Sequence, residues 1–423
     1  MSEMLPPSWR IASFGELNRY TSITIDPAKY PNEEFELYSV PSYPTGIPDI
    51  ALGSSIGSSK QLVEPGDVLV CKINPRINRV WLVPGQTNHR QIASSEWIVM
   101  RPGELNGRYL RHYFMSDQFR EMICADVTGV GGSLTRAQPK RVAAFQIPLP
   151  PLAEQQRIAD TLDRLLVRVD ACRARLGRVP ALLKRFRQAV LAAAVAGRLT
   201  EDWRGENDVE ADWSWTTFGE AGAVSGGLTK NAQRSLIESR KPYLRVANVY
   251  ANRLELGDVA EIGLTEAEFT KTKLEKDDLL IVEGNGSLDQ IGRAALWTGE
   301  IADCVHQNHI IRWRAFDHVL PSYALFWLLS PQGRASLVEV ASSTTGLHTL
   351  SISKISAIPL NVPPLAEQHE IVRRVETLFA YADRLDARLA AAQARVAQLT
   401  PSLQVKAFRG ELGTTTTDGD GNG

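Results

Sequence analysis

Pro150-Pro151-Leu152-Ala153-Glu154-Gln155 is repeated as Pro363-Pro364-Leu365-Ala366-Glu367-Gln368. Around it, residues 134–199 lie on residues 347–412 without a gap, every matched pair 213 positions apart. A repeat this long means two copies of one structural unit in a single polypeptide. Differences between the copies then separate shared scaffold from specialised surface.

A helical pattern follows each hexapeptide. In the first copy Ile158, Leu162, Leu165, Val169, Cys172, Leu176, Val179, Leu183, Phe186 and Val190 alternate steps of four and three. The offset carries them to Ile371, Val375, Leu378, Ala382, Leu385, Leu389, Ala392, Val396, Leu399 and Leu403, apolar throughout. This 3.5-residue period is a coiled-coil seam, and two matching seams in one chain most simply bury each other. At about 1.5 Å rise per residue, Ile158 to Val190 would span roughly 50 Å. Proline suits a first turn, and Glu154 or Glu367 suits the positive end of the helix dipole. Gly177 and Pro180 stand where the second copy has Ala390 and Gln393. An interior proline costs about 3 kcal/mol, so a kink or short interruption is expected there, rather than a domain boundary.

Upstream of each helix lies a mixed segment of domain size. Val63-Glu64-Pro65-Gly66-Asp67-Val68-Leu69-Val70 reads as a turn and a buried strand, and residues 274–282 read the same way. Helix-like stretches follow at 108–122 and 323–340. Strands then helices in each unit give an α+β class. Trp213-Ser214-Trp215 restarts the unit after an acidic stretch, echoing Ser8-Trp9. The expected organisation is an α/β domain at 1–149, a helix at 150–199, a linker at 200–212, a second α/β domain at 213–362, a second helix at 363–412 and a disordered tail at 413–423.

The 423 residues allow two to four domains, and 43% hydrophobic with 22% charged residues is ordinary for a protein with packed cores. No apolar run approaches the roughly 20 residues that span a bilayer, and the first residues lack a signal-peptide pattern, so a cytoplasmic location is expected. Cys71, Cys124, Cys172 and Cys304 are scattered without a CxxC, and are expected to be reduced core residues. The formal charge of −1 does not advertise a nucleic-acid binder, yet residues 152–199 hold ten bases against four acids. That excess fits either a solvated helix face or a surface docking phosphate or protein.

Enzyme signatures do not emerge. Gly129-Val130-Gly131-Gly132-Ser133 lacks the Gly-Lys-Ser/Thr of a phosphate loop, and Gly284-Asn285-Gly286 with Gly292 misses the dinucleotide spacing. His306 and His309 lack a third ligand at zinc spacing and read as structural or surface histidines. No nucleophile elbow is present. The expectation is a non-catalytic chain with no metal ligands and no cofactor.

The loops behind the paired strands carry more. The first contains Lys72, Asn74, Arg76, Asn78 and Arg79. Arg and Lys grip guanine edges or phosphates, and Asn both donates to and accepts from adenine; a polar surface turn is the competing reading. The second loop offers Asn285, Ser287, Gln290 and Arg293, with Lys230, Arg245 and Asn248 as further candidates in that half. Like strands with unlike tips suit two readers of two different sequences.

The doubled Pro-Pro-Leu-Ala-Glu-Gln ahead of heptad helices, each after an α/β segment, resembles the specificity subunits of type I restriction–modification systems. Residues 65–76 and Tyr243-Leu244-Arg245-Val246-Ala247-Asn248 are further family-like elements, and the likeness covers residues 1–412. It implies two target-recognition domains held apart by an antiparallel helix pair forming a coiled coil, a pseudo-two-fold repeat. Each domain would read one part of a bipartite, asymmetric site in double-stranded DNA, and the helices would set the unread spacer. Two methyltransferase subunits would dock on this framework and methylate adenine N6, with nuclease/translocase subunits joining for restriction. The chain itself would hold no cofactor and do no chemistry. A coiled-coil adaptor that does not read DNA is the alternative, but it has no use for two large α/β segments with polar loops. A free-standing methyltransferase or nuclease would need a cofactor loop and a catalytic constellation.

Overall fold

The computed structural model describes residues 5–125, 127–128, 135–210, 212–284, 290–341 and 349–412. The expected disordered tail, 413–423, lies outside the described residues. The chain divides into two compact units, residues 1–177 with 391–423, and residues 178–390. Each unit combines one sheet-bearing domain with part of both long helices.

In the first unit Val68–Cys71 is the central strand of a three-stranded antiparallel sheet, between Val80–Leu82 and Trp97–Met100. Its four residues, Val-Leu-Val-Cys, are all buried, which is why the run is apolar without alternation. A five-stranded sheet stands beside it, with Glu34–Tyr38 and Arg90–Ala93 running parallel in its interior. Arg10–Ser13 pairs with Gln146–Leu149, returning the chain to the hexapeptide. Ile158 and Leu162 of the first helix share a core with Phe14, Tyr109, Phe114 and Phe119, and Phe408 of the second helix packs edge-on to Tyr113 at 5.1 Å.

The second unit repeats the plan with different sheets. Leu279–Val282, again fully buried, lies between Ala294–Leu296 and Ile310–Ala315, and Gly222–Gly226 adds a fourth strand. Ser214–Thr217 pairs with Pro359–Val362 as the first unit's terminal strands do. Ile371 and Val375 join a core containing Phe218, Trp313, Tyr323 and Trp327.

The contacts of the hexapeptide explain its repetition. The Gln155 side chain accepts from the Asn106 amide (3.0 Å) and donates to the Pro150 carbonyl (2.9 Å), fastening the helix start to the chain ahead of Gly107–Phe114. Gln368 does the same with the Leu320 amide (2.7 Å) and the Pro363 carbonyl (2.8 Å). Glu154 accepts from the Trp9 indole at 3.2 Å and Glu367 from the Trp213 indole at 2.8 Å. The echoed tryptophans are therefore the partners of the echoed glutamates. Glu367 is the more enclosed, with Thr200 and Arg204 also donating to it. Gly197 and Gly410, each in left-handed backbone (φ 71° and 79°), close the two long helices at matched positions.

Both long helices run 44 residues, Leu152–Val195 and Leu365–Phe408. In the first unit Arg157 donates to the Leu412 carbonyl at 2.8 Å; in the second Arg187 bridges Asp383 (2.6 Å) and Asp386 (2.7 Å). The start of the first helix meets the end of the second, and its later half meets the second's earlier half, so the pair is antiparallel. The seam holds at Ile158, Leu162, Val169, Ile371, Val375 and Leu389, which are buried, while Leu165, Leu176, Leu378 and Leu385 are half-buried. Cys172 departs from it and is exposed, and Cys124 is half-buried, so only Cys71 and Cys304 are the core thiols expected of all four. Burial pushes the Cys304 thiol up to about 12.

At Gly177–Pro180 no interruption is found. The first helix is assigned without interruption through Pro180, and the second contains Pro401 as well. A proline removes one backbone hydrogen bond, and the seam on either side keeps the helix in register across it. The units nevertheless divide at residues 177 and 178, so the Gly177–Pro180 stretch is also where the first helix passes from one unit to the other. Between the long helix and the second domain, Glu201–Asn207 is helical, and Asp202 pairs with Arg374 at 2.6 Å.

Candidate nucleic-acid interface

Leaving the buried strand Val68–Cys71, the chain turns sharply. Asn74 and Asn78 adopt left-handed backbone (φ 47° and 49°), which asparagine tolerates better than most residues, on either side of the 3-10 turn Pro75–Ile77. Three backbone hydrogen bonds fix this loop from outside. Lys72 donates to the Glu96 carbonyl (3.0 Å) and accepts from the Ala137 amide (2.8 Å), and Asn74 donates to the Thr135 carbonyl (2.8 Å). Arg76 and Ile77 are left exposed at the tip. Arg79 faces inward: its guanidinium donates to the Ile73 carbonyl at 2.7 Å, and its buried Nε has no partner.

The second unit uses the same stitching on different residues. Glu283 donates to the His309 carbonyl (2.9 Å) and accepts from the Leu350 amide (2.8 Å). Arg293 takes the place of Arg79: the Val282 amide donates to its carbonyl at 2.8 Å, as Cys71 does to Arg79 at 3.0 Å. It too has a buried Nε without a partner, and its guanidinium lies 5.2 Å from the Tyr250 ring. Gln290 is exposed. Asn285, Gly286 and Ser287 fall outside the described residues, as do Gly129 to Ser133.

The remaining candidates separate. Lys230 is exposed. Arg245 pairs with Asp258 at 2.7 Å on the surface. Asn248 is 3% exposed and its side chain is committed, donating to the Glu255 (2.7 Å) and Asp258 (2.9 Å) carbonyls and accepting from the Arg245 amide (2.8 Å). These bonds hold a turn. Of the two histidines weighed as ligands, His306 is buried: Nδ1 meets the Ile310 carbonyl at 2.9 Å, and burial, then the nearby Arg312, pushes its pKa down to about 4. Among the described residues no three acids, histidines or cysteines gather as a metal site.

Sequence reading missed the groups that border the tips. Glu96 pairs with Arg136 at 3.0 Å beside the first loop; His309 pairs with Glu283 at 2.8 Å beside the second. The signal was present, since Glu96 and His309, like Ala137 and Leu350, are 213 positions apart. At equivalent places the first tip has Lys72 and Glu96 where the second has Glu283 and His309, so an ammonium is exchanged for a carboxylate and a carboxylate for an imidazole. Base edges differ in their pattern of donors and acceptors, so these tips suit different bases.

A family model described as the type I restriction modification DNA specificity domain matches residues 10–174 and 211–391. The type I restriction enzyme EcoKI specificity subunit of Escherichia coli (strain K12) is 36% identical over 321 residues, covering 74% of this chain and 68% of the relative. The StySPI specificity subunit of Salmonella potsdam is 37% identical over 318 residues, covering 74% and 67%. Two solved structures share the fold. One comes from work on complex assembly and conformational transition of the type I R-M system (TM-score 0.75, 22% identity, covering 97% of this chain and all of the other). The other is the HsdS subunit from Thermoanaerobacter tengcongensis (TM-score 0.66, 21% identity, covering 96% and 98%). Among the described residues no helix is long and apolar enough to cross a membrane.

Proposed function

The chain belongs to the family of type I restriction–modification DNA specificity subunits, and on that premise we propose that its two domains read the two unlike parts of one bipartite DNA target. Its role is sequence recognition within a type I complex, and the chemistry belongs to other subunits. The observation that carries the finer reading is the repeated stitch with exchanged side chains: Lys72 and Glu96 in one domain, Glu283 and His309 in the other, on the same backbone hydrogen bonds. A scaffold kept in both halves while its tips change chemistry suits a molecule that presents two different hydrogen-bonding surfaces.

Lys72, Asn74, Arg76, Asn78 and Arg79 are assigned to one half-site. Lys230, Arg245, Asn248, Asn285, Ser287, Gln290 and Arg293 are assigned to the other. Within that set the observed contacts support Arg76 and Gln290 as exposed readers, with Arg79, Asn248 and Arg293 positioning the loops. The domains are taken as 1–149 and 213–362, the helices as 150–199 and 363–412, with 200–212 between them. The antiparallel helices form the framework on which two adenine-N6 methyltransferase subunits dock, with nuclease subunits added for restriction, in the cytoplasm where the DNA is. Selection from random duplexes by the full chain with its methyltransferase partner tests this. The expected product is one interrupted motif with two dissimilar arms. Recovery of no motif, or of a contiguous one, would refute it.

A further inference from the structure

The second unit contains a cleft of about 830 Å³ that opens beside the second reading loop. Lys184 and Arg187 enter it from the first long helix, Asp383 from the second, Arg253 from a tight hairpin, and Gln290 with Arg293 from the base of the second reading loop. The hairpin is held in place by Asn252, in left-handed backbone (φ 56°), whose amide donates to the Ala294 carbonyl at 2.8 Å.

The charges do not cancel. Arg187 is answered by Asp383 and Asp386 at 2.6 and 2.7 Å, which leaves that trio near neutral or negative. Lys184 is exposed and has no ion pair among the described residues. Arg253 lies over the Tyr250 ring at 5.2 Å, and its one carboxylate partner among the described residues is Glu255, at 3.0 Å with both side chains more than half exposed, a pair of the kind worth little in water and readily exchanged. Arg293 has no carboxylate partner among the described residues, and its buried Nε lacks an acceptor altogether. Three cations therefore face one concavity with their donors largely unspent. The repeat shows this to be specific to the second half, because Lys184 and Arg187 correspond to Ala397 and Thr400, neither of them charged.

We infer that this cleft binds the phosphodiester backbone of the duplex read by the second domain, Lys184 and Arg253 each contacting phosphate. This rests on the DNA reading proposed above, and the cleft's continuity with the reading loop through Gln290 and Arg293 is what directs it to the same duplex. Phosphate is a compact anion accepting from several donors at once, which matches an ammonium and two guanidinium groups in one concavity. Such contacts fix orientation and add affinity without choosing bases.

The test measures binding by the full chain with its methyltransferase partner, over a series of salt concentrations, to target and scrambled duplexes. Lys184→Ala and Arg253→Ala should each lower the slope of log affinity against log salt by about 0.9, as expected when one phosphate is no longer neutralised. Both should weaken target and scrambled duplexes by the same factor, and Lys271→Ala, a surface cation of the same unit outside the cleft, should leave the slope unchanged. A duplex carrying one neutral methylphosphonate at the contacted position should bind wild type and Lys184→Ala equally. Unchanged slopes in both cleft variants, or a loss confined to the target duplex, would overturn the inference. Wild-type binding without preference for the target would instead sink the DNA reading, while the slopes still judge the cleft.

Discussion

At the scale of single residues, the two tips make unequal use of their charged groups. Arg76 is exposed at the first tip, whereas Arg79 is half-buried and donates to the Ile73 carbonyl. Arg76→Ala should therefore reduce discrimination at one half-site by about 1–3 kcal/mol and leave the other unaffected, read by competition between duplexes mutated in each arm. Equal loss at both arms would mean a phosphate contact instead. His306 contributes to the acid sensitivity of the second unit. Its folded pKa of about 4 lies below the ordinary 6.5, so burial favours the neutral ring. The stability this gives is complete above about 6.5 and is lost as pH falls from there towards 4, on the order of 3 kcal/mol in all. His306→Gln should flatten the urea midpoint of unfolding across that window; a curve as steep as wild type's would exclude His306 as the cause.

Individual elements show what the sequence disclosed and what it withheld. The long helices were legible because their signal is local and periodic: Ile158, Leu162, Ile371 and Val375 are buried where the heptad places them. Cys172 fits the same period yet is exposed, since period specifies a face and not what covers it. Pro180 reads as an interruption because intrinsic cost is visible in sequence, whereas the packing that overrides it is not. Being exposed, Pro180 can be replaced by alanine with little effect on packing. Pro180→Ala should raise stability by up to about 3 kcal/mol, measured by denaturant unfolding. No change would mean that the backbone there is already relieved. The reading tips were legible as composition only. Which side chains turn inward depends on non-local partners such as Thr135, Ala137 and Leu350, and nothing in residues 72–79 alone separates Arg76 from Arg79.

For the molecule as a whole, duplication followed by local divergence is the organising fact. The indole–glutamate and glutamine–amide contacts recur in both units, as do the left-handed glycines that close the helices. The flanking sheets and the side chains at the tips do not. A shared framework with independent readers lets one arm of a target change while the other stays fixed, provided that each unit recognises its own arm. Mapping adenine-N6 methylation across DNA from cells carrying the chain with its methyltransferase partner addresses that claim most directly. The expected result is a single motif with two unlike arms and an unread gap of constant length, in which Arg76→Ala relaxes one arm alone. A palindromic or uninterrupted motif, or relaxation of both arms together, would contradict it.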